Sequence, residues 1–220
     1  SSSVKSSIID AATGQVLASA QSPSEEMSML ALRPGWAEQD PALWWEHAVK
    51  SFQACLKKSG IKGTEIEAIG ISYQMHGLVC VDKNQNVLRP SIIWCDSRAV
   101  EIGKTALQQL GEEYSLQHLL NSPGNFTASK LKWVKENEPS VFERIHKIML
   151  PGDFLAMKLT GDVVTTPSGL SEGMFWDYQD ESPSRKLLEL YGIPAHMLAS
   201  QAPTFSIQGR VKKDVAELLG

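Results

Sequence analysis

Apolar and polar residues partly alternate at the start of the chain, in the runs "VKSSIID" and "QVLASA". This spacing is typical of strands with one buried face. The linker "AATG" between the two runs ends in Gly14, which can take the positive φ that a tight turn needs. The pattern therefore predicts a β-hairpin.

The next apolar pattern, "QDPALWWEHAVKSFQACLKKSG", has helical spacing. Asp40 is suited to be the N-cap, Pro41 fits the first helical position, and Gly60 marks the stop. We expect one face of this helix to be buried. That face consists of Trp45, Ala48, Val49, Phe52 and Leu56.

Three extended runs follow the helix. "IEAIGISYQ" is an almost continuous apolar run, as is typical of a strand inside a sheet. "GLVCVD" and "NVLRPSIIW" predict further extended structure on either side of the polar stretch "KNQN".

The second half of the chain is mainly helical. Helical patterns cover residues 96–120, "TASKLKWVKENEP" and the stretch around "SVFERI", and "IMLPGDFLAMKLTG" predicts strand, turn and helix. Asp96 is expected to cap a helix that begins near Ser97. Ser182 is the predicted N-cap of a helix that Gly192 closes, and "DVAELLG" begins another. Strands that precede helices predict an α/β layered domain with a mostly central sheet.

The composition narrows the class of protein. The chain has 220 residues, of which 42% are hydrophobic, enough for one large domain or two small ones. A net charge of -4 without a basic cluster argues against nucleic-acid binding. No apolar run reaches the ~20 residues of a membrane span, and "SSSVKSSIID" lacks the features of a secretion signal. The cysteines lie in apolar segments without C-x-x-C spacing, so we expect reduced core thiols in a cytoplasmic protein: Cys55, Cys80 and Cys95.

Several common catalytic motifs are absent. Gly103-Lys104-Thr105 resembles the end of a phosphate-binding loop, but Arg98 occupies the position of that motif's first glycine. Neither G-x-G-x-x-G nor G-x-S-x-G occurs. The histidines never stand at the spacing of paired metal ligands, so the sequence predicts no metal site: His47, His76, His118, His146 and His196.

One histidine interrupts two apolar runs, in the segment "GISYQMHGLVCVD". His76 offers a hydrogen-bond donor and an acceptor, Gln74 adds an amide, and Gly77 permits close approach of the backbone. Ligands of open α/β sheets bind where strands end at an edge. The set is suited to the hydroxyls of a small polyol, and a histidine that satisfies buried backbone groups is the alternative.

A series of segments, taken in order, resembles the N-terminal half of the FGGY family of carbohydrate kinases, which includes glycerol, xylulose and gluconate kinases. The segments are "SSSVKSSIID", "RPGWAEQDPALWW", "AIGISYQMHGLVCVD", "LRPSIIWCDSRA", "FTASKLKWVKENEP" and "MLPGDFLAMKLTGDVVTTPSGLSEGMFWD". They are most similar to the xylulose kinases of the family. The resemblance implies a ribonuclease H-like lobe of the actin and hexokinase type, with a mixed central sheet flanked by helices. Residues 1–220 would form the N-terminal, sugar-binding lobe.

The resemblance also implies a set of substrate-binding residues. Met75 and His76, preceded by Gln74, would lie against a bound ketose. The Trp-x-Asp-x-Arg segment that includes Trp94 and Asp96 would line the same cleft, together with Arg98. One local departure is Asn125, which stands after Gly124 where close relatives have Gly-Phe-Thr.

A larger departure concerns the catalytic groups. The family's first strand, which ends Gly-x-Asp-x-Gly-Thr and meets the ATP phosphates and Mg²⁺, would precede Ser1. The catalytic aspartate of a Gly-Gly-x-Asp segment would follow Gly220. No residue of this chain is therefore expected to be catalytic, ATP and Mg²⁺ are expected in the complete enzyme only, and the fragment alone is expected to be inactive.

The implied activity of the complete enzyme is transfer of the ATP γ-phosphate to a terminal hydroxyl of a ketose, with D-xylulose as the implied substrate. Two alternatives stay open. The protein could act on another sugar such as gluconate, or it could be a non-catalytic ribonuclease H-like module that binds a sugar or a partner. The expected partner is a small-molecule sugar, and a homodimer is left open.

Overall fold

The computed structural model describes residues 2–220, and its first element is a β-hairpin. β1 (Val4–Ile9) pairs antiparallel with β2 (Val16–Ser22). Gly14 in the turn has a φ of 72°, and Asp10 Oδ1 accepts a hydrogen bond from the main-chain nitrogen of Thr13 at 2.8 Å. The predicted hairpin is confirmed.

The first helix, α1 (Pro41–Ser59), begins and ends at the predicted residues. Asp40 Oδ1 accepts a hydrogen bond from the main-chain nitrogen of Ala42 at 2.9 Å, and Gly60 ends the helix with a φ of 71°. The predicted buried face is wrong in part, because the helix buries two adjacent faces rather than one stripe. The fully buried residues are Pro41, Trp44, Ala48, Ser51 and Cys55, whereas Trp45, Val49 and Phe52 are partly buried against Leu159, Val215 and Leu219.

Residues 66–74, the run "IEAIGISYQ", are not a strand of any sheet formed within residues 2–220, so this prediction is wrong. A short 3₁₀ turn, Gly63–Glu65, precedes the run. Ile69 and Ile71 are partly buried against a small apolar cluster, which explains the apolar pattern. A strand also needs a hydrogen-bonded neighbour, and an apolar pattern does not reveal whether one is present.

The central part of the fold is a series of short paired strands. β3 (Glu38–Gln39) pairs with β5 (Ser91–Ile92), and β4 (Val79–Val81) pairs with β6 (Lys147–Met149), both antiparallel. Single bridges extend this arrangement, an antiparallel one from Leu78 to Ile92 and a parallel one from Ile148 to Leu198. The remaining pairs are β7 (Val164–Thr165) with β10 (Ser200–Gln201), parallel, and β8 (Trp176–Asp177) with β9 (Ser182–Pro183), antiparallel.

Alternate residues of these strands contribute to cores on the two faces. Leu78, Cys80, Ile92 and Ile148 belong to one apolar cluster. Val79, Val81, Ile93 and Met149 belong to the other. The sheet is therefore buried between two layers, as the α/β class predicts.

Helices flank this sheet. They are α2 (Val100–Leu110), α3 (Glu112–Tyr114), α4 (Thr127–Asn137), α5 (Pro139–Phe142), α6 (Pro151–Thr160), α7 (Pro167–Glu172), α8 (Arg185–Tyr191) and α9 (Lys213–Leu219), with a π-helical turn at Ser115–Leu119 and a 3₁₀ turn at Ala195–Met197.

Two predicted helix caps are wrong. α2 begins at Val100 with Ala99 as its N-cap, so Asp96 does not cap a helix beginning at Ser97. Ser182 lies in β9, and the N-cap of α8 is Ser184, whose hydroxyl accepts a hydrogen bond from the main-chain nitrogen of Leu187 at 3.4 Å. Both errors arise because short polar residues near a helix start are interchangeable in a sequence pattern, and backbone geometry selects among them.

The cysteines are only partly as predicted. Cys55 and Cys80 are buried free thiols, and burial raises the pKa of Cys80 to about 12. Cys95 is exposed, which corrects its assignment to the core. It follows Trp94 at the point where the chain leaves the sheet after β5. Among the described residues, no helix is both long enough and apolar enough to cross a membrane.

Candidate functional site

The turn that carries Met75 and His76 packs tightly against the start of α6. His76 has a φ of 58°, in the left-handed region that residues other than glycine adopt uncommonly. The next residue, Gly77, is buried, and a Cβ added to it would lie 2.5 Å from Pro151 Cγ. A side chain at Gly77 would therefore force the turn away from α6.

His76 is held by groups from two helices. Its main-chain nitrogen donates a hydrogen bond to Glu172 Oε1, at the end of α7, and its main-chain oxygen accepts one from Lys130 Nζ of α4 at 2.7 Å. Its imidazole meets the Phe126 ring edge to face, with 4.2 Å between the ring centroids. The His76 side chain remains 24% exposed, so it borders solvent while its peptide groups are fixed.

Lys130 links this turn to the end of β5. Its side chain is fully buried, and Nζ donates a second hydrogen bond to the main-chain oxygen of Ile93 at 2.9 Å. Desolvation by burial lowers the pKa of Lys130 to about 8, although nearby Asp96 opposes the shift. One ammonium group thus joins the segment containing His76 to the segment that leads into Trp94.

Trp94 and Asp96 have different surroundings. The Trp94 side chain is 52% exposed. Asp96 is completely buried, and its carboxylate accepts hydrogen bonds from the main-chain nitrogen of Ala37 at 2.6 Å and from Arg98 Nε at 2.9 Å. This burial indicates that the Asp96 carboxylate stabilises the loop, and the place of Asp96 in the lining of the sugar cleft stays a prediction.

The Arg98 side chain is also buried. Its side chain is 1% exposed and its guanidinium lies over the Trp36 ring, 3.8 Å from the centroid, and 4.7 Å from the centroid of Trp133. Arg98 Nη1 lies 2.7 Å from Glu38 Oε1, and the same oxygen lies 2.5 Å from Arg89 Nη2. This buried charge network supports the loop beneath Trp94.

Two amide side chains beside these segments have unpaired oxygens. Gln74 Oε1 and Asn125 Oδ1 are buried and have no hydrogen-bond partner in the part of the chain that the structure describes. Asn125 Nδ2 donates to the main-chain oxygen of Asp96. An unsatisfied buried acceptor costs about 1 to 3 kcal/mol, so both oxygens mark positions where a further donor would be stabilising.

The structure brings together residues that sequence reasoning did not assign to the site. Lys130 can be recognised from the sequence, because a lysine is unusual on the buried face of a helix. The buried residues at helical spacing from it are Thr127, Leu131 and Val134. Two further residues have no such signal: Glu172, and Tyr73, whose ring packs against Gly152 at the start of α6. Glu172 is distant from His76 in sequence, and only the folded chain shows that they touch.

No group of three or more His, Cys, Asp and Glu side chains within residues 2–220 could hold a metal ion. The buried carboxylate of Asp96 is occupied by protein donors. The protein's own donors therefore engage the Asp96 carboxylate, and no chemical step is assigned to a metal here.

The chain is similar to known sugar kinases over its whole length. A model of the N-terminal domain of the FGGY family of carbohydrate kinases matches residues 1–220. The xylulose kinase of Escherichia coli K12 is 30% identical over 207 residues, which span 94% of this chain and 42% of that protein. The glycerol kinase of Thermococcus onnurineus is 32% identical over 192 residues, spanning 86% and 38%.

A solved structure agrees with these matches. The crystal structure of xylulose kinase from Rhodospirillum rubrum superimposes with a TM-score of 0.86 at 27% identity, covering 100% of this chain and 44% of that one. The expected ribonuclease H-like fold is thereby confirmed. The chain spans less than half the length of these relatives.

Proposed function

This chain belongs to the FGGY family of carbohydrate kinases, and on that premise we propose that it forms the sugar-binding lobe of an ATP-dependent sugar kinase. The proposed reaction transfers the ATP γ-phosphate to a terminal hydroxyl of D-xylulose. The observation that carries the proposal is the turn at His76, which is fixed on both sides of its peptide while its ring remains partly exposed.

The chemistry of this turn suits a polyol. A hydroxyl both donates and accepts hydrogen bonds, and an imidazole offers one site of each kind. His76 Nδ1 is buried and has no aligned hydrogen-bond partner within residues 2–220, so we place the sugar contact of this ring at Nε2. The exposed side chains of Met75 and Trp94 add apolar surface on which a carbon skeleton can pack. We assign Met75, His76, Gln74 and Trp94 to direct sugar contact and Asp96 to support of the loop.

The role proposed for the chain is positioning. In the complete enzyme a general base takes the proton of the attacking hydroxyl, and electrostatic groups stabilise the charge on the transferring phosphoryl group. We place both functions, with ATP and Mg²⁺, outside residues 1–220. Fixing the sugar by the His76 turn supplies part of the rate enhancement, because a correctly oriented hydroxyl needs less ordering to react.

A substrate panel tests the proposal. The whole protein that carries this chain is assayed for ATP-dependent phosphorylation of D-xylulose, gluconate and glycerol. We expect the highest kcat/KM for D-xylulose. Higher values for glycerol or gluconate would reject the substrate but retain the kinase, and tight sugar binding without turnover on any of the three would favour the non-catalytic module.

A further inference from the structure

We propose that Glu172 is a positioning residue that sets the tautomer and orientation of the His76 imidazole. In this arrangement Nδ1 carries the proton toward Glu172, and Nε2 is presented to the sugar as a hydrogen-bond acceptor. This inference rests on the proposed function, because it specifies which ring nitrogen meets the substrate. It assigns a role to a side chain that no sequence motif marks.

The position of one carboxylate oxygen carries the argument. Glu172 Oε1 accepts the hydrogen bond of the His76 main-chain nitrogen and lies 3.1 Å from Nδ1 of the same residue. The Nδ1 contact is not aligned as a hydrogen bond, so its effect on the ring is mainly electrostatic. A lone pair on Nδ1 facing a carboxylate oxygen at this distance is repelled, whereas an N–H is attracted.

A second contact fixes the carboxylate itself. Burial, followed by the nearby carboxylates of Asp153 and Glu172, raises the pKa of Tyr73, so its hydroxyl stays protonated and can donate to the Glu172 carboxylate. Tyr73 is in turn held against α6, because a Cβ added to Gly152 would lie 2.0 Å from the Tyr73 ring. The carboxylate is therefore anchored by donors that do not depend on a bound sugar.

The ring has little freedom to rearrange. The edge-to-face contact with Phe126 restricts rotation of the imidazole. Lys130 donates a hydrogen bond to the main-chain oxygen of His76, so this contact fixes the position of the peptide group and does not affect the tautomer of the ring. With Nδ1 protonated and turned inward, the remaining nitrogen of a neutral His76 is an acceptor. Such a site selects a substrate that donates a hydroxyl proton at this position.

The tautomer can be measured directly and without an activity assay. The whole protein is labelled with ¹⁵N-histidine, and long-range ¹H–¹⁵N correlation spectra are recorded at a pH where the imidazole is neutral. His76→Gln identifies the signals of this ring among those of the other histidines, of which residues 1–220 contain four. We expect a protonated Nδ1 and an unprotonated Nε2. A protonated Nε2 in the unaltered protein would overturn the proposal, whatever the enzyme phosphorylates.

Substitution of Glu172 then links the tautomer to the sugar. Glu172→Leu should shift the His76 ring toward the Nε2-protonated form and raise the KM for D-xylulose about tenfold, with little change in the KM for ATP. Glu101→Leu is the matched control, since the Glu101 side chain is 81% exposed on α2. An unchanged tautomer in Glu172→Leu would reject the role of Glu172. Should that variant not fold, Glu172→Gln and the spectrum of the unaltered protein still decide the question.

A failure of the positioning role of Glu172 and a failure of the proposed sugar kinase function give different results. If Glu172→Leu changes the tautomer but not the KM for the sugar, Glu172 positions His76 as proposed, and it is the contact of His76 with the sugar that is rejected. If neither the unaltered protein nor any variant phosphorylates a sugar, the spectra still test the positioning.

Discussion

The ammonium group of Lys130 lies 2.7 Å from the main-chain oxygen of His76, and this contact fixes the turn of the candidate sugar site from beneath. The same ammonium reaches the main-chain oxygen of Ile93 at 2.9 Å. A buried cation is favourable only when its hydrogen bonds offset the loss of hydration. Here those bonds join the His76 turn to the strand end before Trp94, so stability and the geometry of the site depend on one side chain.

We predict that Lys130→Met lowers the free energy of unfolding by about 1 to 3 kcal/mol, because two buried carbonyl groups lose their donor. The variant should also raise the KM for the sugar, since the His76 turn is released. Chemical denaturation and steady-state kinetics measure the two effects. Lys132→Met on the same helix is the control, because Lys132 forms a surface ion pair with Glu136 at 3.0 Å, which contributes at most about 1 kcal/mol. Equal effects of both variants would contradict the account.

A tight contact at Gly77 gives a second prediction. Gly77→Ala should destabilise the fold by about 1 to 3 kcal/mol, because the new methyl group would overlap Pro151. Gly70→Ala is the matched control, since a Cβ at Gly70 meets nothing within 4 Å. Thermal denaturation of the two variants is the measurement. A Gly77→Ala protein as stable as Gly70→Ala would mean that the turn does not pack against α6 as described.

The buried carboxyl group of Asp153 should make the stability of the fold depend on pH. This carboxyl lies in the first turn of α6, where burial raises its pKa to about 6, although the hydrogen bond from the Leu150 main-chain nitrogen opposes the shift. The folded state therefore retains a proton that the unfolded state releases between about pH 4 and pH 6. The stabilising contribution of that proton is present below pH 4 and is lost as the pH rises through 6.

Asp153→Asn removes this titration. From pH 4 to pH 7, we expect the free energy of unfolding of the unaltered protein to fall by about 1 to 3 kcal/mol relative to that of Asp153→Asn. Denaturation curves at several pH values measure this difference. A constant difference over this range would show that Asp153 titrates as it does in water.

Local chemistry explains what the sequence predicts well. The two ends of α1 follow from the side chain of Asp40 and the left-handed backbone of Gly60, and neither depends on distant residues. The hairpin at Gly14 and the helix end at Gly192 are predictable for the same reason. These features need only short-range sterics and hydrogen bonds.

Long-range pairing explains the errors. Residues 66–74 have the pattern of a buried strand, yet within the described part of the chain they have no strand partner. Asp96 is placed like a helix cap, but its carboxylate bonds Ala37, which is distant in sequence. Glu172 meets His76 through the tertiary fold. In each case the deciding neighbour lies far along the chain, where spacing carries no information.

The central claim, that the His76 turn holds the sugar, is tested most directly by the kinetics of His76→Ala in the whole protein, with the exposed His196→Ala as control. Loss of a hydrogen bond to a substrate hydroxyl costs about 0.5 to 1.5 kcal/mol, and more if a buried group is left unpaired. We predict that His76→Ala raises the KM for D-xylulose several-fold to more than tenfold and leaves the KM for ATP nearly unchanged. His196→Ala should change neither KM. Equal increases in both KM values, or no increase in the KM for D-xylulose, would contradict the assignment of this turn to the sugar.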